Sequence, residues 1–240
     1  MKKVNRFFSG VYILIFLFMG CDFNNPPKTQ NTSFKKEEEY WLFVGEKSTG
    51  KTVIIDSLLN SKAINSLEYP QTRIVYLERS FFISINNKEA KIIEEAINKN
   101  GKYRIFFIVN LDRAKVREVD LTAIEMILDA IDLPSVEFNI IVNGITKAER
   151  KYFDEDKTRI AKILKHLNTG KYKTDKIIFI DHDRDFSSLA VPFLSFGKNT
   201  LDFMYKHSAS IFIPANKVNH IDISKWDEKL KDMKEKLDKI

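Results

Sequence analysis

The chain has 240 residues, 44% of them hydrophobic and 12% aromatic, which is enough to bury a full core and excludes global disorder. Its net charge of +6 comes from 39 Lys and Arg spread among 33 acids, with no concentrated basic block, so no nucleic-acid partner is expected. A single cysteine excludes an intrachain disulfide, and the four histidines stand too far apart for zinc-ligand spacing.

Residues 1–21 read as a membrane-targeting segment. Lys2, Lys3 and Arg6 form a positive head, and an apolar run of about 13 residues follows from Phe7 to Met19, broken only by Ser9 and Gly10. That run falls short of the ~20 residues of a membrane-spanning helix and suits the apolar part of an export signal. Its end, Gly20-Cys21, resembles a bacterial lipoprotein signal, which implies lipidation at Cys21 and membrane attachment through the N-terminus. An uncleaved anchor and a buried N-terminal helix stay open as alternatives. Residues 22–39, with Pro26-Pro27, a polar stretch and the charge run Lys35 to Glu39, read as a flexible tether.

The globular part is expected over residues 40–217. Tyr40 to Val44 is a short apolar run, as a buried strand should be. Gly45-Glu46-Lys47-Ser48-Thr49-Gly50-Lys51-Thr52 then fits the phosphate-binding pattern G-x-x-x-x-G-K-[ST], and Val53 onward continues at helical spacing. Strand, glycine loop and helix together give the motif its physics. Backbone N–H groups wrap a phosphate at a helix N-terminus, Lys51 reaches the β- and γ-phosphates as the catalytic cation, and Thr52 offers its hydroxyl to Mg²⁺.

Arg73 to Glu78 reads as a strand, and Lys88 to Asn100 as a helix stopped by Gly101. Tyr103 to Asn110 is an almost continuous apolar strand. Asp120 is expected to cap the next helix, before a strand over Val136 to Asn143. One long helix from Lys147 to Leu167 and a strand over Lys176 to Ile180 complete the alternation. That pattern predicts an α/β fold with a largely parallel sheet, whose ligand edge carries Glu78, Asn110, Asn143 and Asp181 beside the glycine loop. Residues 218–240 read as a C-terminal amphipathic helix with a capping-box start at Ser224, packed on the domain rather than in an intermolecular coiled coil.

From Gly45 to about Lys217 the chain resembles the immunity-associated, septin-like P-loop GTPases of the GIMAP type. The carriers are Val44 to Thr52 with Asp56-Ser57-Leu58-Leu59, the segment Phe107 to Asp120, and Phe138 to Asn143 followed by Thr146-Lys147-Ala148-Glu149. The resemblance implies a P-loop NTPase three-layer fold that binds GTP or GDP with Mg²⁺, by itself or as a homodimer through the nucleotide face. It implies that Thr72 and Glu78 assist Thr52 at the metal. Thr146-Lys147-Ala148-Glu149 then stands for the guanine-reading [N/T]-K-x-D motif, with glutamate for aspartate. The same four residues also read as a helix start with a capping box. Glu78-Arg79-Ser80-Phe81 departs from the family's Asp-x-x-Gly turn, because a Cβ keeps residue 81 from approaching a phosphate as glycine does. The expected function is therefore a membrane-tethered guanine-nucleotide-binding protein with slow hydrolysis or nucleotide-dependent assembly. A pseudo-GTPase interaction module and an ATP-binding protein remain as alternatives.

Overall fold

The computed structural model describes residues 39–46, 48–60, 73–76, 86–181 and 198–240. Strand β1 (Glu39–Gly45) lies in the interior: Tyr40 to Val44 are each 5% exposed or less. Side chains alternate across a strand, so Tyr40, Leu42 and Val44 enter one core cluster while Trp41 and Phe43 enter another. A strand buried on both faces belongs inside a parallel sheet.

β1 pairs in parallel with β2 (Arg73–Tyr76) on one side and β3 (Gly101–Asn110) on the other. β3 pairs in parallel with β4 (Asn139–Ile145), and β4 with β5 (Ile177–Asp181). The order is β2-β1-β3-β4-β5. A short strand β6 (Ile211–Ile213) runs antiparallel to Gly101–Tyr103, the part of β3 that β4 does not reach. Buried Asn139 closes that junction: its Nδ2 donates to the carbonyls of Ile105 and Ala209, and its Oδ1 accepts from the Ala209 amide.

Helices cover both faces. Helices α1 (Lys51–Asn60) and α6 (Lys198–Asp202, continued by one π turn to His207) set Ile54, Leu58, Leu201 and Met204 against Trp41, Phe43 and Phe106. On the other face lie α2 (Asn87–Ile97), α3 (Glu118–Asp129), α4 (Lys147–Glu155), α5 (Lys157–Leu167) and α7 (Trp226–Asp238). The chain is thus α/β with a parallel central sheet. Among the described residues, no helix is long and apolar enough to cross a membrane.

Local chemistry moves several boundaries from their expected places. α2 starts at a reciprocal cap, Asn86 with Glu89, and ends at Ile97; Gly101 opens β3 by pairing with Ile213 instead of stopping the helix. α3 begins at Glu118, so Asp120 sits inside the first turn and is not its cap. β4 runs two residues past Asn143. The long charged helix breaks at Asp156, whose carboxylate accepts from the Thr158 amide and hydroxyl and so offers the backbone a new helix start. α7 starts at Trp226 without a side-chain cap, because the Ser224 hydroxyl donates to Asp222. Trp226 and Met233 bury α7 on the domain, and Lys229 pairs with Glu125 and Asp129 of α3.

Candidate functional site

The strand order decides where a site can form. In a doubly wound sheet of order 2-1-3-4-5, a crevice opens outside the carboxyl ends of β1 and β3, where the following connections diverge to opposite faces. Here α1 follows β1 onto one face and α3 follows β3 onto the other. The loop from Gly45 to Lys51 leaves β1 at that point.

The loop's own geometry suits an anion. Gly45 fits against β3 so closely that a Cβ there would lie 2.4 Å from the Ile108 carbonyl oxygen. Ser48 and Gly50 have φ of 94° and 80°, on either side of Thr49. Such alternation of hand turns successive N–H groups into one concavity, a nest for an anion. Buried Thr49 donates from its amide and hydroxyl to the Glu46 carbonyl, at 3.2 and 2.8 Å. Lys51 opens α1 and folds back, its Nζ donating to the carbonyls of Gly45 (2.6 Å) and Glu46 (2.9 Å). Burial lowers the Lys51 pKa to about 8, against the opposing pull of the Glu46 carboxylate. Thr52 is exposed on the first turn of α1.

Two asparagines brace the loop from the neighbouring strand ends. Nδ2 of Asn110 donates to the Ser48 carbonyl at 3.3 Å, and Nδ2 of Asn143 to the Thr49 carbonyl at 2.7 Å. They are register partners across β3 and β4, each closing an Ile-Val-Asn run, 108–110 and 141–143. The repeated run was the available signal in the sequence, although only pairing reveals what it does. Gly50 leaves the space that Asn143 fills: a Cβ at Gly50 would stand 2.4 Å from Asn143 Nδ2.

Behind the loop, Arg117 ion-pairs with Glu46 and also donates to both carboxylate oxygens of Asp120, at 2.9 and 2.7 Å. Asp120 is 7% exposed, and burial pushes its pKa to about 6 although Arg117 opposes the shift. This ion-paired set joins the loop to the first turn of α3. No sequence pattern marks it, since Glu46 and Arg117 are 71 positions apart (117 − 46) and meet only through the β1–β3 pairing. A cavity of about 20 Å³, room for one water molecule, lies beside Gly45 and Glu46 and reaches Trp226 of α7.

No protein-family model matches this chain, and no curated protein matches it either.

Of the residues singled out in the sequence, Gly45, Glu46, Ser48, Thr49, Gly50, Lys51 and Thr52 form this one loop. Lys47, Thr72, Glu78 and Cys21 lie outside the described residues. Thr146, Lys147 and Glu149 stand at the start of α4, just past the end of β4. The capping box is formed there: Glu149 Oε2 accepts from the Thr146 amide and hydroxyl at 2.9 Å each, and the Glu149 amide donates to Thr146 Oγ1 at 3.1 Å. Asp181, at the end of β5, accepts from the Arg150 guanidinium through Oδ1. Among the described residues, no group of three His, Cys, Asp or Glu stands close enough to hold a metal ion by itself. Mg²⁺ at nucleotide sites takes one or two protein ligands and completes its octahedron with phosphate and water.

Proposed function

We propose that this chain binds a nucleoside di- or triphosphate with its phosphates in the loop from Gly45 to Thr52. The observation that carries the reading is the loop at the β1/β3 crevice: positive φ at Ser48 and Gly50 around Thr49, with the Lys51 ammonium folded against the loop carbonyls. A bound phosphate offers Lys51 a stronger partner than two neutral carbonyls, so the ammonium swings from Gly45 and Glu46 toward it. Thr52 would hold Mg²⁺, which supplies charge neutralisation of the phosphates.

Guanine as the base, a P-loop NTPase three-layer fold, help at the metal from Thr72 and Glu78, and slow hydrolysis or nucleotide-dependent homodimerisation come from the GIMAP-type resemblance and belong to the same proposal. So does attachment to a membrane through lipidated Cys21 or an uncleaved anchor. Phe81, where that family has glycine, favours a second reading, an interaction module that has lost its nucleotide.

Binding of a fluorescent GTP analogue with Mg²⁺, measured beside Lys51→Ala and with ATP as competitor, separates the readings. Micromolar binding that Lys51→Ala abolishes supports the first. Absence of binding by the wild-type chain leaves the interaction module.

A further inference from the structure

The chain's net charge of +6 has one place in the fold. Between Asp156 and Asp175 it carries Lys157, Arg159, Lys162, Lys165, Lys171 and Lys173 and no acidic residue, so the remainder of the chain sums to zero. In the sequence these six stand two to six places apart and make no basic run. The fold gathers them. The first four lie on α5, whose Ile163 and Leu167 are buried while Lys157, Lys162 and Lys165 are exposed. The last two lie on the loop that follows, and Asn168 holds this loop against the helix end. Its Nδ2 donates to the carbonyls of Leu164 and Thr174, and its Oδ1 accepts from the Thr174 amide. Of the described helices with eight or more residues, α5 alone has no acidic residue.

Few of these charges are answered within the protein. Asp156 pairs with Arg159 and Asp129 with Lys171. Glu125, which meets the same loop at the Lys171 amide, is taken by Lys229 of α7. Among the described residues, Lys157, Lys162, Lys165 and Lys173 have no ion-pair partner. The neighbouring His166 has its pKa lowered first by burial and then by Lys162 and Lys165. Like charges three and four places apart repel along a helix, and here the balancing anions come from outside these residues.

We propose that α5 and the loop to Lys173 dock on an anionic lipid surface. Five of the six cations are lysines, flexible point charges that suit a fluid array of headgroup phosphates better than one anion of fixed geometry. A nucleic-acid strand suits the face less well. Tyr152, the exposed aromatic next to α5, already stacks with Arg159, whose guanidinium carbon lies 3.1 Å from the ring centroid. Base stacking, on which single-strand binding relies, has to compete with that guanidinium. The choice of lipid rests on the reading of residues 1–21 as a membrane attachment. A chain held at a membrane meets the surface at high effective concentration, so a few unpaired lysines suffice to orient the domain on it.

The test floats the full-length chain with vesicles of phosphatidylcholine alone and with phosphatidylglycerol added. Phosphatidylglycerol is expected to tighten binding, and salt to reverse the gain. Lys162→Gln/Lys165→Gln/Lys173→Gln should lose affinity for the anionic vesicles on the order of 10²-fold, a few-fold for each lysine, and none for the neutral ones. Lys231→Gln/Lys234→Gln/Lys239→Gln removes the same charge from the end of the chain, where Asp232, Glu235 and Asp238 are interspersed, and should keep the anionic preference near the wild-type value. Urea midpoints confirm that both variants are folded. Equal losses in the two variants show a general charge effect and overturn the inference, as does binding that phosphatidylglycerol leaves unimproved. Tighter binding to poly(U) than to anionic vesicles at equal phosphate concentration, lost in the α5 variant, overturns it in favour of nucleic acid. Neutral vesicles read the N-terminal attachment separately: if that binding is absent while the anionic gain persists, the attachment reading falls and the α5 surface stands.

Discussion

The side-chain amide of Asn143 donates to the main-chain carbonyl of Thr49 at 2.7 Å, joining the end of β4 to the loop that leaves β1. That bond ties the loop to the sheet from outside its own turn. The bond also explains Gly50, whose missing side chain is the space the amide occupies.

Asn143→Ala removes this brace and leaves the Thr49 carbonyl without it, at a cost of about 1 kcal/mol in stability. Triphosphate affinity is expected to drop by roughly tenfold, the equivalent of ~1.4 kcal/mol, because a looser nest must be ordered at binding. Asn143→Asp should do worse, since a carboxylate cannot donate and faces a carbonyl. Urea denaturation and calorimetric titration with tripolyphosphate read the two effects separately.

Gly50→Ala meets two obstacles, a φ of 80° and an Asn143 amide 2.4 Å from the new Cβ. A left-handed backbone costs an alanine about 1–2 kcal/mol before any contact is counted. In Gly50→Ala/Asn143→Ala the clash goes and the backbone cost remains, so the double variant should lose less than the sum of the singles. A double-mutant cycle by chemical denaturation measures the difference; additive losses would show that the two residues are independent.

Lys51 titrates in a useful range. Its pKa is lowered to about 8 by burial, so the free protein loses the ammonium above that pH. Bound phosphate stabilises the ammonium and raises the pKa, so binding takes up a proton above pH 8 and none well below it. Affinity should therefore be flat on the acid side and fall as pH rises through about 8, approaching tenfold per pH unit. Calorimetry in two buffers of different ionisation enthalpy at pH 8.5 should detect the proton. For folding alone the sign is opposite: between about 8 and 10.5 the unfolded chain holds the extra proton, and stability rises with pH.

Arg117 compensates two carboxylates at once, Glu46 and the buried Asp120. Arg117→Ala strands Asp120 and should cost about 3 kcal/mol, the scale for breaking a buried pair from one side. Asp120 itself leaves a pH signature. Its folded pKa of about 6 lies above the ordinary 3.8, so the folded state holds the extra proton in that window. Stability is expected to fall as pH rises from 3.8 to about 6, and Asp120→Asn should flatten that slope. Denaturant midpoints collected from pH 3.5 to 7 test both variants.

The sequence by itself determined the sheet and the loop. Tyr40 to Val44 and Tyr103 to Asn110 are too apolar to lie anywhere but inside, and the glycines at 45 and 50 allow a tight turn between strand and helix. Local competition set the ends of elements and was less legible. Asp156 restarts a helix that the apolar periodicity alone would have carried through, and Gly101 is drawn into β3 by a partner strand more than a hundred residues away. Only the tertiary structure decided what surrounds the loop. Asn110, Asn143, Arg117 and Asp120 reach it because the order β2-β1-β3-β4-β5 sets the ends of β3 and β4 beside β1, and sequence separation carries no record of that adjacency.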